Sequence, residues 1–330
     1  MQKIRLGILG AGRIVARVMT NIHRMKHMEV VAVASRDVQR AQEAARRCGA
    51  QHVYGSYLEL AQCSDVDVVY IATPHPFHAQ QAMLMMEHGK HVICEKPMAV
   101  NDAEVSRMIE CAKKNDVFLM EAMWTRFLPC VEEMVQMVRD GVIGEVRNIF
   151  GEFSWCAQAY DPEDRVYNPA LAGGGLLDVG VYPLMVCMQL LGNEPETVQS
   201  LCRKSREGID LNTSVQMQYA NGAVAQFFCG MDACGDDCLQ IFGTKGYIKV
   251  PSFWNAQAYT LCVQGQPEQT VTFDEGREAF YFEFDHAAQC IRQGLKESPV
   301  MPLVDSLAAS RICTQIRRQH GIVYPAESAE

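Results

Sequence analysis

Short apolar runs alternate with helix-like segments over the first 120 residues of the chain. The runs are apolar throughout and rich in β-branched side chains, as in VVAVA and VDVVYIA. Such strands, separated by helices of about 10–15 residues, are typical of βαβ units and of a parallel sheet that is covered on both faces. We predict strands at 3–10, 30–34, 66–72, 91–94 and 117–120, and helices at 13–25, 38–48, 77–88 and 102–114.

The pattern changes after about residue 125, where short strand-like segments follow one helix at 131–140. Asn221-Gly222 between two of these segments is a strong β-hairpin signal. Successive strands joined by short turns indicate a mainly antiparallel sheet. The predicted strands are 146–155, 197–203, 213–219, 223–229, 239–242, 247–250, 259–263 and 269–273, with helices at 176–191, 277–293 and 303–319 and a frayed tail from 325.

These patterns divide the chain into a doubly wound α/β domain over 1–122 and an α+β domain over 123–330, built on an open, mainly antiparallel sheet. The length of 330 residues fits two domains of roughly 150 residues each. The composition, 48% hydrophobic and 21% charged, is that of a folded globular protein. The net charge of −9 argues against a nucleic-acid or anionic-membrane partner, which would need a basic face.

Neither a membrane span nor a disulfide framework is predicted. The best uncharged apolar stretch, 179–193, is shorter than the about 20 residues that a span needs. Fourteen cysteines are spread from Cys48 to Cys313 without a CxxC pair. We interpret them as reduced thiols of a cytoplasmic protein.

A glycine-rich loop, GILGAGRIV at 7–15, joins the first strand to the first helix. Gly10 permits a tight turn, and Gly12 lets the backbone approach a pyrophosphate. The helix that begins near Arg13 and Ile14 offers N–H groups and a positive dipole end. The third position of the motif is Val15 rather than Gly or Ala, but the loop opens a βαβ unit at the chain start. This context predicts dinucleotide binding.

The end of the second strand bears on the choice between NAD and NADP. Ser35 stands where an NAD enzyme carries a carboxylate, and Arg36 follows it. A hydroxyl and a guanidinium suit a 2′-phosphate, so the pair favours NADP. The alternative is a solvated Arg36 beside Asp37 acting as a helix N-cap.

Glu95, Lys96 and Pro97 follow another parallel strand, at the edge where such sheets bind ligands. Pro97 keeps Lys96 out of helical geometry, so Glu95 and Lys96 point to opposite sides of an extended chain. One can then meet a cofactor ribose and the other the substrate. The alternative is a surface Glu–Lys pair.

The segment GGGLLDVGVYP, 173–183, holds the second candidate site. On a helix, Asp178 and Tyr182 lie four residues apart and share a face, and Pro183 should either kink that helix or lie near its start. The pKa of a free Tyr is near 10, but a neighbouring ammonium such as Lys96 lowers it. Tyr182 could then take a hydroxyl proton while hydride leaves the same carbon. The alternative is a core Tyr and a capping Asp.

The histidines do not form a recognisable metal motif. His23 and His27 are four apart without the HExxH pattern, and no third ligand is evident, so we predict no metal. His75 and His78 again lie at a strand end.

The glycine loop, TPHPFHA at 73–79, HGKHVICEKPM at 88–98 and GGGLLDVGVY at 173–182 together resemble the glucose–fructose oxidoreductase/inositol dehydrogenase (Gfo/Idh/MocA) family. The order and spacing hold over nearly the whole chain. Three further segments, at 118–129, 243–247 and 294–306, resemble its branch of dihydrodiol and D-xylose dehydrogenases.

The resemblance implies a Rossmann domain followed by a substrate-binding and dimerisation domain, whose sheet forms a homodimer interface. It implies that Lys96 touches the nicotinamide ribose and the reacting oxygen, that Tyr182 exchanges the proton and that Asp178 is an acidic substrate residue. The predicted cofactor residues are Gly10, Gly12, Arg13, Ile14, Ser35, Arg36, Thr73, Pro74, His75, His78, Glu95, Lys96, Trp124 and Arg126. The predicted substrate residues are Lys96, Trp124, Phe153, Arg165, Asp178 and Tyr182.

The predicted function is an NADP-dependent oxidoreductase acting on a pyranose sugar, a cyclic polyol or a trans-dihydrodiol. Lys96, Asp178 and Tyr182 are its predicted catalytic residues. Two alternatives on the same fold are a redox-neutral glycosidase and a non-catalytic ligand-sensing regulator.

Overall fold

The computed structural model of the protein describes residues 2–156 and 160–329. The chain forms two compact units: Met1–Phe127 with Glu278–Leu307, and Leu128–Arg277 with Ala308–Glu330. The first unit thus includes a late segment that the predicted division at 122/123 gives to the second domain.

A parallel six-stranded sheet forms the centre of the first unit, in the order β3-β2-β1-β4-β5-β6. This order is the doubly wound dinucleotide-binding arrangement, so the predicted fold class is confirmed. The strands are β1 Ile4–Leu9, β2 Met28–Ala34, β3 His52–Tyr54, β4 Val68–Ile71, β5 His91–Glu95 and β6 Leu119–Ala122.

Helices connect these strands, and their ends follow from local capping. α2 has the predicted bounds because Asp37 caps its first turn and Gly49, at φ +76°, ends it. The predicted helix 13–25 instead ends at Asn21 and continues as a 3₁₀ turn, Ile22–Arg24. The helices are α1 Arg13–Asn21, α2 Val38–Cys48, α3 Tyr57–Gln62, α4 His78–Glu87 and α5 Asp102–Lys114.

An eight-stranded sheet forms the centre of the second unit, in the order β14-β13-β12-β11-β7-β10-β9-β8. Its pairs are antiparallel except for β7 with β10, so the predicted, mainly antiparallel sheet is confirmed with one parallel pair. The strands are β7 Val146–Ser154, β8 Thr197–Lys204, β9 Asp210–Gln218, β10 Val224–Gly230, β11 Leu239–Gly243, β12 Gly246–Val250, β13 Ala258–Val263 and β14 Gln269–Thr272.

Helices α6, Pro129–Arg139, and α7, Val181–Leu191, pack against this sheet. A π-helical turn, Leu176–Gly180, leads directly into α7. Among the described residues, one helical stretch, Pro169–Leu191, is long and apolar enough to cross a membrane, but 89% of its apolar part is buried inside the protein. We therefore interpret it as a core helix.

Helix α8, Tyr281–Arg292, belongs to the first unit because aromatic side chains at its start pack there. Phe284 meets the ring of Tyr70 edge-on at 5.1 Å, and Phe280 packs on Trp124 at 4.5 Å. No local pattern in the chain signals these long-range contacts.

The tail after α9, Leu303–Gln319, is held in place, contrary to the predicted fraying. Pro325–Ala329 forms a 3₁₀ helix, and Glu327 accepts hydrogen bonds from both terminal nitrogens of the buried Arg317, at 2.7 and 2.9 Å. Burial of the guanidinium makes this anchor obligatory, because an unpaired buried charge is costly.

Candidate active site

The glycine loop between β1 and α1 has the geometry that a pyrophosphate needs. Gly10 has φ +112°, and a Cβ there would lie 2.7 Å from the carbonyl oxygen of Ala72. A Cβ at Gly12 would meet nothing within 4 Å, so the space above the loop is open. Gly12 is the N-cap of α1 and leaves its first N–H groups without a side-chain cap. Val15 points into the core, where it is buried. The open loop and the uncapped helix start therefore fit a dinucleotide.

A cavity of about 490 Å³ lies at the carboxyl ends of β2 and β4, within the first unit. The Arg36 guanidinium, which is exposed, lies 5.7 Å from the ring of Phe77. The residues that line the cavity include Arg36, Tyr57, Thr73, Pro74, Phe77 and Gln81. This arrangement suits an adenosine group, whose base can stack on a guanidinium or an aromatic ring.

Asp37 is the N-cap of α2, as the alternative interpretation predicts. Its side chain accepts hydrogen bonds from the backbone N–H groups of Gln39 and Arg40. The hydroxyl oxygen of Ser35 accepts from Asp37 N at 3.2 Å. Arg40 is a second exposed cation here, pairing with Asp37 at 3.3 Å. Arg40 lies one turn after Arg36, a spacing that is visible in the sequence but belongs to no motif.

His78 joins the two loops that follow β4 and β5. Its ring is fully buried, with Nε2 at 2.7 Å from Thr73 O and Nδ1 at 3.0 Å from Pro97 O. His75, also buried, packs edge-on against it at 5.8 Å. The imidazole of His78 therefore positions both loops through their backbone.

Lys96 lies directly after β5 and is half-buried. The buried Glu95 carboxylate accepts hydrogen bonds from Lys96 N, at 3.2 Å, and from the hydroxyl of Tyr70. Burial raises the pKa of Glu95, while the Tyr70 hydroxyl and the nearby Lys96 charge oppose that rise. Tyr70, which sequence reasoning missed, thus fixes the carboxylate that precedes the lysine.

Trp124 and Arg126 lie on a 3₁₀ turn, Trp124–Phe127, after β6, and both are buried. Arg126 donates hydrogen bonds to Asp305, at 2.6 Å, and to Val300 O, at 3.2 Å. Its guanidinium therefore anchors the 300–305 segment within the first unit.

In the second unit, the structure brings Arg165 and Asp178 together. The guanidinium of Arg165 donates to Asp178 Oδ1 at 2.9 Å, and both side chains are partly exposed. Asp178 lies in the π-helical turn, and Tyr182, which is nearly buried, lies in the first turn of α7. Phe153 meets the Tyr182 ring edge-on at 5.3 Å. Single π-helical turns within helices are frequent at functional sites.

Buried groups hold the glycine turn, residues 173–175, that precedes this helix. Asp210 accepts a hydrogen bond from Leu176 N at 2.5 Å, and Tyr324 donates one to Gly173 O at 2.9 Å. Gly174 has φ +130°, and a Cβ there would lie 2.2 Å from the Asp210 carboxylate. Burial raises the pKa of Asp210 to about 7. Neither Asp210 nor Tyr324 carries a sequence signal, since both are distant in the chain.

The predicted cofactor residues thus lie in the first unit, and Phe153, Arg165, Asp178 and Tyr182 lie in the second. The pairing of Lys96 with Tyr182 stays a prediction. Among the described residues, no group of three or more His, Cys, Asp or Glu side chains could hold a metal ion.

Two family models match the chain. Residues 4–123 match "Oxidoreductase family, NAD-binding Rossmann fold", and residues 131–249 match "GFO/IDH/MocA C-terminal domain". The chain belongs to the Gfo/Idh/MocA oxidoreductase family. The predicted family and the predicted NAD(P)-dependent oxidoreductase are therefore confirmed.

The chain is similar to trans-1,2-dihydrobenzene-1,2-diol dehydrogenase of Bos taurus, with 37% identity over 98% of this chain and 99% of the relative. The enzyme of that name from Mus musculus is 36% identical, with coverage of 98% and 99%. An aldose-aldose oxidoreductase of Caulobacter crescentus has a similar structure, with a TM-score of 0.88, 27% identity and coverage of 97% and 98%. A 3-ketoreductase of Actinomadura kijaniata, solved with NADP and TDP-benzene, has a TM-score of 0.86, 26% identity and coverage of 96% and 98%.

Proposed function

We propose that the protein is an NADP-dependent dehydrogenase that oxidises a secondary hydroxyl group of a trans-dihydrodiol, a pyranose sugar or a cyclic polyol. The observation that carries the proposal is the Arg165–Asp178 pair beside Tyr182 on a braced helix, in a chain whose other unit holds a dinucleotide loop and Lys96. The names of the relatives support the substrate class.

In this proposal, Tyr182 takes the proton of the substrate hydroxyl, which leaves a carbonyl group as the carbon loses hydride. A nicotinamide cofactor held by the loop at Gly10 and Gly12 would supply the hydride acceptor. Lys96 orients the substrate oxygen and stabilises the phenolate of Tyr182 by its positive charge. Asp178, oriented by Arg165 at 2.9 Å, accepts a hydrogen bond from a neighbouring substrate hydroxyl.

The test is NADPH formation by the purified protein with trans-1,2-dihydrobenzene-1,2-diol, D-xylose, D-glucose and myo-inositol, repeated with NAD⁺. We expect turnover with at least one substrate and a preference for NADP⁺. Tightly bound nicotinamide with glycoside cleavage but no net reduction would instead indicate the redox-neutral glycosidase. Ligand binding without any turnover would indicate a regulator.

We propose that Arg36 selects NADP by pairing with its 2′-phosphate, assisted by Ser35 and by Arg40 one turn later. Arg36 is exposed at the end of β2, and no carboxylate stands at position 35. Arg36→Ala is expected to raise KM for NADP⁺ by about tenfold to a hundredfold, the value of one or two charge-assisted hydrogen bonds. KM for NAD⁺ should change little, because NAD⁺ has no 2′-phosphate. Equal changes for both cofactors would show that Arg36 serves adenine stacking instead.

We further propose that the protein is a cytoplasmic homodimer formed through the sheet of the second unit. Large apolar side chains are exposed on its strands, including Leu201, Phe150, Phe242 and Tyr247. Leu201, on the edge strand β8, is 78% exposed, and the strand pairing places it on the same face of the sheet as the other three.

A further inference from the structure

Three aromatic rings pack in a row in the second unit, one pair stacked and the other edge-on. Trp254 lies parallel to Phe153, with ring centroids 5.2 Å apart and planes within 5°. Phe153 in turn meets Tyr182 edge-on at 5.3 Å. The stack thus connects a half-exposed indole to the tyrosine that the proposed function uses as its base.

The indole of Trp254 is held by one carboxylate. Its Nε1–H donates to Asp237 Oδ2 at 2.9 Å, and Asp237 Oδ1 accepts from Ser154 N at 3.3 Å. Asp237 also reaches the turn that carries Trp254 through its backbone, since Phe253 N donates to Asp237 O at 3.0 Å. Asp237 therefore joins the end of β7, which carries Phe153, to the indole stacked on it.

A second carboxylate fixes Asp237 itself. Glu152, on β7, accepts a hydrogen bond from Asp237 N at 2.9 Å and another from the hydroxyl of Ser154. A Cβ at Gly235 would meet the Glu152 carboxylate, so a larger residue there would have to displace that side chain.

The backbone at this point enters the left-handed region at two residues that are not glycine. Asp237 has φ +54° and Ser252, two residues before Trp254, has φ +46°. Left-handed backbone in residues other than glycine is uncommon, and it persists where the surroundings hold it and where a function uses it. Here both residues flank the indole contact.

We propose that Asp237 is a positioning residue that fixes the plane of the Trp254–Phe153 stack, so that a substrate with an apolar ring face is held beside Tyr182. Asp237 accepts the indole N–H and Phe153 covers one face of the indole, so the proposal assigns recognition of the substrate to the opposite ring face of Trp254. Such a face favours the C–H side of a cyclohexadiene or a pyranose over an open-chain polyol. This inference rests on the proposed function.

The first test asks whether the contact exists in solution, independently of turnover. The chain has three tryptophans, and Trp254→Phe identifies the indole N–H signal of Trp254 in an ¹⁵N-labelled sample by its loss. Asp237→Gly removes the carboxylate without penalising the left-handed backbone. It should move the Trp254 signal upfield and leave the other two in place. Asp237→Asn, which keeps an acceptor oxygen and tolerates the same φ, should shift it less.

The second test is a double-mutant cycle with the best substrate of the panel. Asp237→Gly should raise KM by about tenfold and change kcat by less than about twofold, because it disturbs binding of the ring rather than the proton transfer. The same change in a Trp254→Phe background should have little further effect, since the indole N–H is already absent. Asp236→Gly, the same substitution at the exposed neighbouring residue, is the matched control.

Two results would overturn the inference while leaving the proposed function intact. One is an unmoved Trp254 signal in Asp237→Gly. The other is a KM penalty that persists at full size in the Trp254→Phe background, which would show a general structural role. If the wild-type protein turns over no substrate, the proposed function fails, and the substrate-positioning role of Asp237 fails with it even where the indole signal moves.

Discussion

Tyr182→Phe is expected to lower kcat by a factor of about 10²–10⁴, the usual contribution of a positioned general acid–base group. The change removes a single oxygen from a nearly buried ring whose edge-on packing against Phe153 stays possible. Lys96→Met should cause a loss of similar size, because the substrate oxygen and the phenolate both lose their positive partner.

Cofactor affinity should survive in both variants, as measured by NADPH fluorescence titration. We expect phosphate binding to depend on the loop at Gly10 and Gly12, where the backbone is open, rather than on either side chain. Steady-state NADPH formation supplies kcat. Lys114→Met, an exposed lysine of α5, and Tyr219→Phe are matched controls that should keep wild-type rates. Tyr219 is buried, and its hydroxyl has no hydrogen-bond partner among the described residues.

Near-normal turnover in both Tyr182→Phe and Lys96→Met would remove the basis of the proposed mechanism. A loss of turnover in only one of the two variants would be equally informative. A defect confined to Lys96→Met would indicate that water or Asp178 exchanges the proton. A defect confined to Tyr182→Phe would show that the phenolate forms without the lysine.

Local chemistry made much of the first unit predictable. α2 and α5 have their predicted bounds because Asp37 and Asn101 cap them. The short strand β3, His52–Tyr54, escaped prediction because three half-buried residues give no apolar run. The parallel pairing of β7 with β10 also escaped, since it joins strands that are far apart in the sequence.

The residues of the candidate site likewise fall into two groups, those that the sequence reveals and those that it does not. Residues that belong to short motifs, such as Gly10, Lys96 and Tyr182, were visible because their residue type and spacing imply chemistry. The groups that hold them in place were not. Asp210 and Tyr324 brace the glycine turn from 34 and 151 residues away, and Asp237 reaches Trp254 across a turn with no motif. Their side chains acquire a role only through tertiary packing, which a single sequence does not display.

The chain terminus offers the sharpest test of such packing. Glu327→Ala is expected to lower the free energy of unfolding by about 3–5 kcal/mol, because it leaves the charge of the buried Arg317 guanidinium without its carboxylate partner. Arg317 is only 1% exposed and lies 4.6 Å from the ring of Tyr324. Urea unfolding, followed by circular dichroism, measures the loss. Glu194→Ala, the same substitution at an exposed position, should change stability by less than about 0.5 kcal/mol.

A double variant separates the cost of an unpaired buried charge from the cost of a loosened tail. Arg317→Met combined with Glu327→Ala removes both charges, so it should be more stable than Glu327→Ala alone, since no buried charge is left unpaired. Because the Tyr324 hydroxyl donates a hydrogen bond to Gly173 O, at 2.9 Å, loosening of the tail should also reach the glycine turn that precedes Asp178. Glu327→Ala should therefore raise KM for the substrate at a temperature where the protein is still folded. Unchanged stability in Glu327→Ala would mean that water satisfies Arg317 and that the tail has no part in holding the site.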